Sequence, residues 1–423
     1  MSKVKPADSP VIAVHLSRRK VVLLGLLLLA PWLAIGYYVT RTTESSVVPT
    51  PTAPASADIS AVVHCKPGPW GDLEYMRILT EPPEQNISAN APATDFSVWL
   101  FKGYTPVMFT ELWREAELSA DEIATISQTE NWETEGEITR VKAPKSFVFG
   151  LSPSARNVIY SALSVFTENT GQHEPYRFRA ETEDIWFQNS GLKPETIAAV
   201  KKLLYRRGTS VLFSDQALFL PTIASLDERT RLLKTLARKS TMLLKLRLTP
   251  ESDIEALENY WGGVSSKDIG ALLRSVSRNG GSATIDIIHL LPRFARDRLY
   301  TYPNPNDPGS LTYMDCHWSV LNFFKPVPDP RYENIDEVAR AFINDYHPVT
   351  GRPKYGDIYL FTLPNGDVLH SCVHLADNIV LTKNGATPSS PWILMTLDDV
   401  IAFYPSNLPL DIQRYRPKSI IPE

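Results

Sequence analysis

A chain of 423 residues with 43% apolar side chains can bury at least one large core, and it reads as two globular domains rather than a disordered polymer. The formal charge is −4, yet Lys3, Lys5, Arg18, Arg19, Lys20 and Arg41 face only Asp8 within residues 1–41, so the remainder holds −9. That excludes a basic field for nucleic acid outside the N-terminus.

Residues 1–20 form a basic tail. The apolar run 21–39, interrupted by Gly25, Pro31 and Gly36, matches the length of about 20 residues that crosses a bilayer as a helix. It is therefore expected to be a transmembrane helix and signal anchor. With Arg18, Arg19 and Lys20 ahead of it, the N-terminus stays cytoplasmic and the bulk is exported to the periplasm or cell exterior. A cleaved signal peptide is the alternative, although no small-x-small site follows the run. Residues 40–61, rich in Pro, Ser and Thr, are expected to form a disordered linker, since they lack the apolar surface to offset their ordering entropy.

Residues 62–291 read as a mostly helical middle domain with short strands. Helices are expected over 105–118, 119–129, 152–167, 194–207, 227–239, 250–261 and 267–278, the second opened by a Ser119/Glu122 capping box. Strands are expected over 142–151, 209–213 and 242–248. The short matches 204–209 and 236–241 suggest tandem helix-then-strand units. No catalytic constellation appears in this half, and its role stays open.

After Pro292 the character changes. A helix at 292–299, a loop carrying Tyr300 and Tyr302, and a helix opening at Asp315-Cys316 are followed by a helix over 335–346. Alternating strands then run over 357–362, 368–375 and 379–383, with Asn365-Gly366 as a hairpin turn. The expected class is α+β: residues 292–423 form a module in which the cysteine helix packs on an antiparallel sheet.

Cys65, Cys316 and Cys372 are an odd count for an exported chain, compatible with a Cys65–Cys372 bridge or with three free thiols. Cys316 is the candidate nucleophile, because a cysteine in the first turn of a helix meets free N–H groups that favour the thiolate. His370, on a following strand, is the candidate base; such a pair attacks a carbonyl and protonates the leaving amine. The backbone N–H of Cys316 is a natural donor to the carbonyl oxygen. His317 and His374 read as packing or surface histidines. A zinc cluster of Cys316, His317, His370, Cys372 and His374 is disfavoured, since four residues of strand separate His370 from His374 by about 13 Å. No cofactor and no metal are expected.

Asp315-Cys316-His317-Trp318, Gly356-Asp357 and His370-Ser371-Cys372-Val373-His374-Leu375 stand in the order of three motifs of the NlpC-type cell-wall peptidases, members of the papain-like superfamily. The C-terminal part resembles that family, with His317-Trp318 where it carries Ser-Gly and Cys372 where it carries Gly. The resemblance implies a papain-like fold, a thiol protease or amidase activity with Cys316 and His370 as catalytic pair, and peptidoglycan stem peptides or other peptide amides as substrate. It also implies a third, orienting residue among Thr382, Lys383 and Asn384, of which Asn384 is favoured. Tyr302 or Tyr300 would lie near the oxyanion. The rival readings are an inactive papain-like binding or assembly protein, or an acyltransferase or amidase using the same residues.

Overall fold

The computed structural model describes residues 61–262, 269–278, 281–404 and 410–418. The expected transmembrane helix at 21–39 lies outside them. Among the described residues no helix is long and apolar enough to cross a membrane.

The class is α+β, but the middle of the chain is not mostly helical. Three antiparallel sheets organise it. The first joins Val63–His64, Asp72–Thr80, Lys239–Leu248 and Ala283–Asp286; the second Phe96–Lys102, Ile138–Pro144 and Trp132–Glu135; the third Tyr176–Arg179, Ser210–Phe213 and Tyr205–Arg207. The longest ladder pairs Asp72 with Arg247 through Thr80 with Lys239. Partners so far apart in sequence leave no local signal, which is why Asp72–Thr80 escapes a reading by periodicity. The expected strand at 142–151 is shifted: Ile138–Pro144 is strand, and Lys145–Gly150 turns into a helix that buries Phe147 and Val148.

Local signals elsewhere act where they stand. Thr105, Ser119, Ser152 and Ser225 each accept a hydrogen bond from a first-turn N–H and open the helices Pro106–Glu115, Ala120–Ile126, Pro153–Leu163 and Leu226–Leu236. Ser119 and Glu122 form the full capping box. The two similar segments do lead from helix to strand, but their strands, Tyr205–Arg207 and Lys239–Leu248, enter different sheets.

The C-terminal sheet has six strands in the order Tyr346–Pro348, Asp411–Pro417, Ile358–Thr362, Val368–Ala376, Ile379–Lys383 and Trp392–Thr396. Every neighbouring pair is antiparallel. The hairpin turn closes through Leu363 N–H to Asp367 O and Gly366 N–H to Leu363 O, with Gly366 at φ 90°. On one face of this sheet Val373, Leu375 and Leu381 meet Trp318, Val320 and Leu321 of the Cys316–Leu321 helix. The same core takes in Leu73, Leu246, Trp261 and Phe294. The position 291/292, expected as a domain boundary, thus lies within one continuous apolar core. Each fully buried Leu or Val there contributes roughly 1.5–3 kcal/mol.

Gly356 is required by geometry. Its φ is 85°, and a Cβ there would lie 2.3 Å from the Phe324 ring. Its N–H bonds to His374 O, which aligns the entry of the Ile358–Thr362 strand with the His370 strand. The adjoining Asp357, 1% exposed, accepts from Arg416 Nε at 2.6 Å and Nη2 at 2.7 Å and from Lys354 N–H. In this chain the Gly-Asp pair is an anchor of the sheet.

Candidate active site

Asp315 opens the cysteine helix, its Oδ1 accepting from Trp318 N–H at 2.8 Å. Ser319 Oγ donates to Asp315 O and accepts from Trp392 Nε1 at 2.8 Å, pinning this short helix to the last strand of the sheet row. Trp318 packs edge-on against Phe294, with the Arg298 guanidinium over its ring. These contacts fix the orientation in which the first residue of the helix, Cys316, is presented.

All three cysteines are free. Cys372 is fully buried and Cys316 is 6% exposed, so within the sheet module only the latter has any contact with solvent.

Two imidazoles flank the Cys316 thiol. Burial pushes the thiol up, but the charge of His317, and then of His370, outweighs it and holds the group well below the ordinary thiol range. The reciprocal effect appears on His317. Burial lowers it, yet its charge attraction to and hydrogen bond with Cys316, together with Asp315, raise it to about 9. His317 also places Nδ1 2.9 Å from Ser371 Oγ on the neighbouring strand. Both shifts run in the sense of a thiolate beside an imidazolium.

His370 is fully buried and differs in role. Its Nε2 lies 2.8 Å from Thr382 Oγ1, and Thr382 donates its single hydroxyl proton to Asn384 Oδ1 at 2.9 Å. The Asn384 amide is oriented with Nδ2 donating to Met395 Sδ. With its proton committed to Asn384, the hydroxyl accepts from His370 Nε2–H, which leaves Nδ1 as the ring's second site. That nitrogen is buried without a hydrogen-bond partner, and the ring acts electrostatically on Cys316. The Tyr404 ring stacks on the imidazole at 4.5 Å and 24°, and Phe361 stands 5.5 Å from it.

Lys383 is also buried. Its ammonium donates to Gly385 O at 2.6 Å. Burial lowers it to about 8, opposed by the charges of Cys316 and Asp315. The Cys316 thiol, the Asp315 carboxyl, the His317 imidazole and the Lys383 amine thus lie close enough to shift one another.

Of the residues singled out in the sequence, Cys316, His370, Asn384 and Lys383 come together. Asn384 reaches the imidazole only through Thr382, which makes the direct contact. Tyr300 and Tyr302 are not directed at the thiol: Tyr300 Oη donates to Met242 O at 2.7 Å and Tyr302 Oη to Thr80 Oγ1 at 3.2 Å. His317, read as a packing or surface residue, is the thiol's first electrostatic partner. Its position directly after Cys316 was the available signal, but its effect depends on Ser371, which only the folded sheet brings near. His374 lies at the far end of the strand, 1% exposed with both nitrogens unpartnered, and borders a separate cavity of about 1040 Å³ together with His347, Tyr355 and Arg416.

Comparison of the chain with protein-family models, with curated proteins and with solved structures finds no match.

Proposed function

We propose that the chain is a cysteine hydrolase acting on an amide bond, with Cys316 as nucleophile and His370 as general base. What supports this reading is that two imidazoles act on the Cys316 thiol while their other ring nitrogens meet different partners, Ser371 for His317 and Thr382 for His370. His317 holds its proton up to about 9 and so stabilises the thiolate by charge. His370, with Nε2–H given to Thr382 and Nδ1 open, is the ring able to carry a proton in both directions.

The thiolate attacks the substrate carbonyl carbon, forming a carbon–sulfur bond and an oxyanion. Collapse expels the amine, which takes the proton of the imidazolium that balances the thiolate, and leaves an acyl thioester on Cys316. Water then attacks the thioester, giving one proton to Nδ1, and the acid departs as the thiolate reforms. The backbone N–H at the head of the helix is the donor for the developing oxyanion. The substrate class is a peptide amide; stem peptides of the cell wall follow from the resemblance of the three motifs.

The test is to incubate the protein with a panel of peptide amides and peptidoglycan fragments and to read both products and protein mass. The expected result is a transient acyl mass on Cys316 with released amine, both lost in Cys316→Ala. Turnover that survives Cys316→Ala, or neither adduct nor product across the panel, contradicts the proposal.

A further inference from the structure

A cavity of about 580 Å³ lies where the third sheet of the middle region meets the His370 side of the C-terminal module. Arg177, Arg207 and Lys239 line one wall; Asn384 and Tyr404, which reach His370 through Thr382 and by stacking, line the other. The three cations come from three different strands, Tyr176–Arg179, Tyr205–Arg207 and Lys239–Leu248, so their convergence is a product of the fold.

None of the three forms an ion pair among the described residues. Arg177 donates to Phe403 O, but its Nε is buried without a partner, as are Nε and Nη2 of Arg207. Burial, and then the like charge of Arg207, lowers Arg177 to about 10; burial, and then Arg177, lowers Lys239 to about 8. The one carboxylate on the wall, Glu174, is exposed and pairs with none of them. Buried guanidinium donors without acceptors, held close to a third cation, are costly unless a ligand supplies the missing charge.

We propose that this cavity is a binding site for a compact oxyanion, a carboxylate or phosphate group, held by Arg177, Arg207 and Lys239. The planar forks of two arginines suit an acceptor with two or more oxygens, and the hydroxyls of Thr387, Ser389 and Ser390 on the same wall add neutral donors. The site stands beside the thiol chemistry and does not depend on it, so it survives if Cys316 proves inert.

The test is calorimetric titration of the full chain, carrying Cys316→Ala to silence the thiol, with inorganic phosphate and separately with citrate, at ionic strength fixed with potassium chloride. Saturable one-to-one binding of at least one anion is expected, weakened about tenfold or more by Arg207→Gln and by Arg177→Gln and unchanged by Glu174→Gln. The tighter of the two anions assigns the ligand as phosphate or carboxylate. Lys239→Met is a second variant should an arginine change impair folding. Thermal unfolding without anion is a further readout: relieving like-charge repulsion, Arg207→Gln should unfold no earlier than the parent and should lose the anion-dependent rise in Tm. Binding no stronger than the chloride background, or anion affinity untouched by these substitutions, overturns the proposal.

Discussion

His317 and His370 both act on one sulfur and differ in role, because their ring nitrogens meet different partners. His317 faces Ser371 Oγ, which can accept from an imidazolium, and Asp315 adds negative charge nearby. His370 faces a hydroxyl whose proton is already given to Asn384. His317→Gln is therefore expected to raise the thiol back towards its ordinary range and to slow alkylation of Cys316 at pH 6.5 by at least about tenfold, a shift of one unit being about 1.4 kcal/mol. Stability should respond with a defined sign. His317 is raised in the folded state, so its contribution is fully present below its ordinary 6.5 and is lost as pH rises through about 9. Denaturation midpoints measured from pH 6 to 10 should fall for the parent relative to His317→Gln over that window. Thr382→Val keeps the shape of the side chain and removes the acceptor of His370 Nε2–H. Leaving that buried donor unpaired costs about 1–3 kcal/mol, and acylation of Cys316, followed by stopped-flow kinetics, should slow about tenfold to hundredfold while Cys316 alkylation stays thiolate-like.

At the scale of elements, the chemistry is held by two devices. One is the six-residue helix that Asp315 caps and Trp392 Nε1 ties down through Ser319. The other is the Gly356-Asp357 entry to the Ile358–Thr362 strand, where Asp357 gathers Arg416 and Arg414 from the Asp411–Pro417 strand. Asp357→Asn leaves two guanidinium groups without their shared carboxylate, and chemical denaturation should report a loss of about 3–5 kcal/mol. Both devices were legible in part. The cap, the Asn365-Gly366 turn and the alternation of the His370 strand are local, set by neighbours within a few positions. The pairing of Thr382 with His370 was one step harder: residues 382 and 384 lie on one face of a strand, and choosing between them needed the register against the Val368–Ala376 strand.

The whole molecule departs furthest from what periodicity could tell. Asp72–Thr80 pairs with Lys239–Leu248 across more than a hundred intervening residues, and the helix-rich middle expected from local patterns is instead organised by three sheets. Stacking of Tyr404 on His370 was hidden for the same reason, since it depends on the helix Leu397–Phe403 ending beside a strand that precedes it by two others. The global environment also separates three chemically identical side chains. Cys65 is pushed up to about 12 by burial and by Asp377 and Asp72, and Cys372 is raised far above its ordinary range by burial and then by Cys316. Cys316 alone is lowered. The most direct measurement is alkylation of the native chain with iodoacetamide from pH 5 to 10, with each cysteine's rate read by peptide mass spectrometry. The structure predicts that Cys316 already reacts at neutral pH and gains little towards pH 9, while Cys65 and Cys372 stay unmodified; a Cys316 rate that climbs tenfold per unit towards pH 9, or one no faster than that of Cys65, would contradict the lowered thiol.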